Sequence, residues 1–500
     1  MEFVPAVAAW AISAACRNSI TSQWLSSICE RRDHVKELAE RLSPKAQVYS
    51  PESDAFTASL SRWSLLGKPG MEIVVVPSVE NDVAETVKYA NEHNVPYLAF
   101  SSGHGAIESM GKMQNGIGIK LSELNSVEIA EDGTTAKIGG GAMSKTIVDT
   151  LWEAGKETVT GACECTTIMG VGLGGGHGLL QGQYGLISDQ FVSLNVVLAD
   201  GSIRTIDAES DLWWAMQGAG HNFGIVTSAT FKIYDIKDRD WAHETFIFSG
   251  SKVEKLYEAI NKYFIKADVP AEILQMSVLT NDPSLDPKNP SYIFSVFQAG
   301  KKAVDSKYTK PFHSLGPLTT SASAGTYLDV PTWFNTHMAS PECQKTSTMR
   351  ARFPIDLDAF SVPAQKQLYE LFAATVKETP ALNGSMVMFE GYSTKGVKAV
   401  PADSTAYAFR GDNVVVMPFV AHHVAGEELS EKAREFGEGM RRILKEGSGR
   451  EELHAYVNYA YGTETGEEMY GSETWRQERL RELKDKYDPQ RKFSFYAPIA

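Results

Sequence analysis

The 500-residue chain carries only five cysteines: Cys16, Cys29, Cys163, Cys165 and Cys343. A set that is odd, sparse and without framework spacing argues against a disulfide-stapled fold and weighs toward a reducing compartment. Positive charge is also scarce. There are 48 Lys and Arg against 62 Asp and Glu, a formal net charge of −14. That argues against nucleic acid or an anionic membrane as partner. No uninterrupted apolar run reaches the length of a bilayer span. The nearest approach is MEFVPAVAAWAISAAC at the start, which lacks a basic leading stretch and carries Glu2 and Pro5. A packing helix is favoured there over a cleaved signal, and a cytoplasmic place over a secreted one. Ligand pairs for a metal are missing as well. Cys163 and Cys165 are one residue apart and no second pair exists, so no metal site is expected.

What is present is a globular composition, 43% hydrophobic and 22% charged with 41 Gly, on a chain long enough for two or more domains. Four segments are expected. Residues 1–45 form an N-terminal helical segment ending near Pro44. Residues 46–235 are rich in Gly and short strand-like runs. MEIVVVP reads as a buried strand, and SVENDVAETVKYANEHNV as a helix that Ser78 caps, with Val83, Val87 and Ala90 on one face. VPYLAF then makes a strand that delivers a glycine loop, and SLNVVLADGSIRTID reads as a hairpin turning at Asp200-Gly201. In residues 236–455, strand-like runs alternate with long amphipathic helices, which predicts one antiparallel sheet backed by helices. Residues 456–500 form a closing segment. The fold class is α+β.

Two glycine loops stand out. GVGLGG at 170–175 satisfies the G-x-G-x-x-G pattern, but the preceding ACECTTIM is a poor buried strand, and Asp189 and Asp200 sit at the wrong offsets for a Rossmann turn. So many glycines still let backbone N–H groups approach a ligand such as a pyrophosphate. The other loop, FSSGHGAIES at 100–109, offers Ser101, Ser102 and Gly103 for the same purpose and sets His104 between two glycines.

Taken together, these loops, the segment YSPESDAFTASLSRWS before them, QYGLISDQFVSLNVVLADGSIRTI and SDLWWAMQGAGHNFGIVTSATFKI after them, and ADSTAYAFR, AYVNYAYG and the tail YGSETWRQERLRELKDKYDPQRKF resemble the berberine-bridge-enzyme-like flavin oxidases of the vanillyl-alcohol-oxidase superfamily. The resemblance implies a two-subdomain PCMH-type FAD-binding domain over 46–235, a substrate domain over 236–455, and a return of 456–500 to the FAD domain. It implies FAD held by Ser101, Ser102, Gly103, His104 and Gly105 in the first loop and by Gly170, Gly174, Gly175, Gly176 and Gly178 in the second, with Ile225 and Asn458 also against the cofactor. It implies a covalent link from His104 and a second, thioether link that falls on Cys163, with Cys165 or no thioether as the alternatives. Two departures bear on this: an Arg and a Gly expected before His104 are absent, and TTIM follows the CEC where relatives carry glycines.

AYVNY resembles the family segment that places a tyrosine beside the flavin, so Tyr456 and Tyr459 are the candidate bases. Read as a strand, the segment would put Tyr456 and Asn458 on one face and Tyr459 on the other. The expected function is an oxidase. Hydride passes from an alcohol, amine or activated C–H of a natural-product substrate to FAD and then to O2, giving H2O2. A flavin-dependent cyclase and a non-catalytic flavin carrier are the alternatives. The partners expected are the small-molecule substrate and O2, with no nucleic acid and no membrane and with the oligomeric state open. Trp333, Phe334 and Tyr392 are aromatics in loop-like settings of the second domain, with no pocket assignable from sequence.

Overall fold

A computed structural model describes residues 33–423 and 426–500. The expectations for residues 1–32 lie outside the described residues; residues 33–41 are helical and bury Leu38.

Three sheets organise the chain. The first is four-stranded, in the order β1 (Gln47–Tyr49), β2 (Met71–Val76), β4 (Gly116–Lys120) and β3 (Tyr97–Phe100). β2, β4 and β3 run parallel and β1 is an antiparallel edge. The run MEIVVV is nearly continuous in apolar residues because both faces of this sheet are covered. Helix Glu80–Glu92 lays Val83, Val87 and Ala90 against it, as the spacing predicts. Its cap differs from the sequence reading. Val79 is the capping position, and Asp82 does the work, accepting the N–H groups of Ser78, Val79 and Ser43. A carboxylate can accept from these N–H groups together, which ties the chain before the helix and the Ser43 segment to its first turn.

The second sheet is five-stranded and antiparallel, in the order β5 (Val127–Ile129), β6 (Thr135–Gly139), β10 (Ile225–Lys232), β8 (Phe191–Val197) and β9 (Ile203–Ile206). β8 and β9 form the expected hairpin. Asp200 takes the Ser202 N–H, and Gly201 has φ +79°, a left-handed geometry that glycine adopts without strain. A two-stranded ribbon of β7 (Lys156–Glu157) and β11 (Tyr234–Asp235) closes this half.

The third sheet is antiparallel, in the order β15 (Thr319–Thr326), β12 (Asp240–Ser249), β14 (Ser291–Ala299), β13 (Ile273–Thr280), β18 (Met386–Gly391), β19 (Val414–His423) and β16 (Thr348–Arg352), with β17 (Ile355–Leu357) also on β19. Helices Val253–Ile260, Val362–Glu378 and Glu427–Ser448 cover one face, around Phe294, Phe312, Phe372 and Phe436. The strand period divides β18 cleanly. Val387 and Phe389 enter that helix-side core, while Met388 and Glu390 point to the opposite face and line a cavity.

The tail returns to the first half. Lys484, on helix Thr474–Tyr487, is fully buried, pairs with Asp488 at 2.7 Å, and donates to the carbonyls of Asn222 and Phe493. Asn222 in turn donates to the Ala497 carbonyl. Among the described residues no helix is long and apolar enough to cross a membrane.

Candidate active site

Where the third sheet meets the two glycine loops, the structure forms a cavity open to solvent, with an envelope of about 1930 Å³. Of the residues singled out by sequence, Ser101, Ser102, Gly103, His104, Gly105, Cys163, Gly170, Ile225, Tyr456, Asn458 and Tyr459 all line it. Gly174, Gly175, Gly176 and Gly178 are not among its lining residues. Their lack of a side chain serves packing instead. A Cβ on Gly174 would strike the Asn458 amide, and one on Gly178 the Thr160 carbonyl. Gly175 has φ +97°, and a Cβ there would lie 2.5 Å from the Tyr407 ring.

The first loop leaves β3, and Gly103 turns it with φ +77°. His104 stacks on Trp63 with ring centroids 5.7 Å apart, and Arg352 donates to its carbonyl at 2.9 Å. Burial, helped by Arg352, Lys345 and Arg350, pushes its pKa down to about 3. The imidazole is therefore neutral, with a free lone pair, at any physiological pH.

The second loop carries a covalent bond that the sequence reading did not expect. Cys165 is joined to Cys343 in a disulfide across 178 residues of sequence. No local spacing announces a pair that only the tertiary fold brings together, and the cysteine count thereby loses its weight for a reducing compartment. Cys165 is removed as a tether. Cys163 is the free thiol of the described residues, and burial raises its pKa.

AYVNY is no strand. Residues Val457–Tyr459 form a 3-10 turn, so both tyrosines face the cavity. The Tyr456 hydroxyl accepts from the Asn458 amide at 2.7 Å and from the His177 backbone N–H at 3.3 Å. The Tyr459 hydroxyl donates to Glu390 at 3.0 Å, and Tyr392 donates to the same carboxyl at 2.5 Å. Burial raises the Glu390 pKa from its ordinary 4.5, against the pull of those two hydroxyls. Burial and the Glu390 charge raise Tyr459 well above 10. Glu390 was missed in the sequence, although the alternation MVMFEG carried a signal: an acid on the face opposite Val387 and Phe389.

A family profile described as "FAD binding domain" matches residues 71–207, and one described as "Berberine and berberine like" matches residues 455–500. The FAD-linked oxidoreductase chyH of Penicillium rubens is 50% identical over 501 residues, covering 100% of both chains. The chain belongs to the berberine-bridge-enzyme-like FAD-linked oxidoreductases. The FAD-linked oxidoreductase chry5 of Gibberella zeae is 48% identical over 93% of this chain and 94% of its own. Among solved structures, glucooligosaccharide oxidase from Acremonium strictum, described with a 6-S-cysteinyl, 8α-N1-histidyl FAD, superposes with TM-score 0.78 at 19% identity, over 92% of this chain and 98% of that one.

The cavity of this berberine-bridge-enzyme-like chain suits FAD chemically. The Arg62 and Arg352 Nε–H groups and the Asn458 Oδ1 are buried without hydrogen-bond partners among the described residues. They are two donors suited to phosphate or carbonyl oxygens and one acceptor suited to an N–H. Arg62 also donates to the Gly105 carbonyl, and burial lowers its pKa to about 10, so it stays cationic near neutrality. At the far end Leu98, Leu121, Ile225 and Phe493 make an apolar wall.

Proposed function

We propose that the enzyme is an oxidase of an apolar, aromatic natural product, with FAD bonded to His104 and Cys163 and with Tyr459 and Glu390 acting together as the general base. One observation carries the base assignment: the Tyr459 O–H···Glu390 hydrogen bond at 3.0 Å on the cavity wall. FAD, when bound, supplies the acceptor for hydride from a substrate carbon and the means of passing two electrons to O2, giving H2O2.

The chain's own residues supply the rest. A lone tyrosine is a poor base at neutral pH. Tyr459 escapes this limit because its proton has somewhere to go: as the phenol oxygen takes the substrate proton, its own O–H proton moves to Glu390. Tyr456 has a different task. Its oxygen is engaged by two N–H donors, which leaves its own O–H to donate to a substrate oxygen and hold it in place. Met276, Phe334 and Met388 form the substrate-facing wall, which favours an aromatic or apolar skeleton over a bare sugar. The neutral His104 lone pair and the Cys163 thiol are the groups that would hold the cofactor covalently, a role supported by the linkage named for glucooligosaccharide oxidase.

The test is anaerobic mixing of purified yellow enzyme with a panel of aromatic polyketide and alkaloid alcohols. Bleaching by one of them, followed by stoichiometric peroxide on admitting air, is the expected result. Product rearrangement without bleaching would replace the oxidase with a cyclase.

A further inference from the structure

Behind Glu390 lies a second, small cavity with room for about one water molecule, and strand register explains its position. Glu390 on β18 pairs with Val415 on β19, and Val415 pairs with Asp356 on β17. Side chains paired across neighbouring strands share a face, so these three form one row. Their neighbours Phe389, Val416, Ile355 and Leu357 all enter the helix-side core, which puts the row on the other face of the sheet. Two inter-strand steps separate the Glu390 and Asp356 backbones by roughly 10 Å. The small Val415 between them leaves the space open, and His177, Tyr407 and Asp412 complete the walls.

Asp356 is 1% exposed, and neither of its carboxyl oxygens has a hydrogen-bond partner among the described residues. An unsatisfied buried polar group costs about 1–3 kcal/mol, and a polar cavity of this kind relieves the cost by holding ordered water. Burial, with Asp412 and Glu390 adding to it and Arg450 opposing, raises the Asp356 pKa well above its ordinary value. Asp356 is thus biased toward the protonated carboxyl, which can donate and accept at once. Its neighbour Asp412 is the opposite. Burial acts to raise it, but His454 at 2.8 Å and Arg450 at 2.5 Å hold it ionised. The His454 side chain is 24% exposed and so reaches solvent. The Asp356 backbone is fixed to the same two residues: its N–H donates to the His454 carbonyl, and its carbonyl accepts from Arg450.

We propose that Asp356 and water in this cavity carry protons from Glu390 through the sheet to Asp412 and His454, giving the proton taken from substrate an exit separate from the substrate cavity. The inference rests on the role given to Glu390 above. Protonated Glu390 gives its proton to the cavity water as that water protonates the Asp356 carbonyl oxygen. The original Asp356 O–H proton passes to the Asp412 carboxylate and on to solvent by way of His454. One proton enters and one leaves, and no electrons move.

The experiment is hydrogen–deuterium exchange at the Glu390 carboxyl of the flavin-loaded enzyme at mildly acidic pH. It is followed by the deuterium shift of the carboxylic-acid C=O infrared band after mixing with D2O, the band being assigned by its loss in Glu390→Gln. Asp356→Asn, and separately Val415→Leu, which fills the cavity and keeps both acids, should each slow the exchange about tenfold or more with the flavin absorbance unchanged. Exchange as fast in either variant as in the wild type overturns the proposal. Should Asp356→Asn fail to fold, Val415→Leu decides alone. No substrate is involved, so this outcome is independent of whether Tyr459 and Glu390 prove to be the base.

Discussion

Asn458 joins the second glycine loop to Tyr456. Its amide donates both to the Val171 carbonyl, in the second glycine loop, and to the Tyr456 hydroxyl. Tyr456 and Tyr459 meet edge to face with ring centroids 5.0 Å apart, and only Tyr459 reaches a carboxylate. Tyr459→Phe should therefore slow flavin reduction about 10²–10⁴-fold, the range for loss of a positioned general base, while Tyr456→Phe costs less and raises KM. Stopped-flow bleaching separates the two. The same arrangement sets the pH profile. Glu390 must be ionised to receive the Tyr459 proton, and burial raises its pKa above 4.5. The rate of reduction should fall as pH drops through that raised value, and Glu390→Gln should abolish the acid limb together with most of the rate. The sequence pointed to Tyr456, Asn458 and Tyr459 through one five-residue segment. It did not point to Glu390, 69 residues from Tyr459, because a lone acid in a strand reads as a solvent-facing residue until the cavity on that face is known.

At the scale of elements, the glycine-rich loop is partly cavity wall and partly a close-packed segment. Gly170 lines the main cavity, whereas Gly175 exists to pass under Tyr407, whose hydroxyl donates to His177 Nε2 at 2.8 Å. Gly175→Ala combines a strained φ with a clash against a buried ring. It should destabilise the protein by about 2 kcal/mol or more, and melting temperature measures it. A loop that must be glycine for packing and one that must be glycine for a phosphate look alike as letters. The strands were more legible: β2 and β3 fall within MEIVVVP and VPYLAF, and the β8–β9 hairpin turns where it was read. β15 was not legible, since TTSASAGT is largely exposed on a sheet edge and has no apolar alternation to read. The AYVNY turn was misread as a strand because five residues of mixed aromatic and polar type fit either conformation, and tertiary contacts decide.

For the molecule as a whole, buried neutral histidines link stability to pH. Burial lowers His177 and His221 to about 4 each from an ordinary 6.5. A lowered pKa means that the unfolded chain binds the proton more readily. The stability these groups contribute is complete above about pH 6.5 and is lost as pH falls from there toward 4, on the order of 3 kcal/mol for each by pH 4. Denaturant titrations between pH 7.5 and 5 should show this loss before the ordinary carboxylates titrate, with a shallower slope in His177→Gln. The three sheets and the returning tail bring the first loop, the second loop, Tyr456, Tyr459 and Glu390 around one cavity, where the proposed function needs FAD to be bonded. The most direct measurement is the absorbance of the pellet and supernatant after acid precipitation of the wild type, Cys163→Ser, His104→Ala and the double variant. The wild type and either single variant should give a yellow pellet, and the pellet should be colourless only when His104 and Cys163 are both removed. A wild-type pellet without flavin, with all the colour in the supernatant, would contradict a bonded FAD.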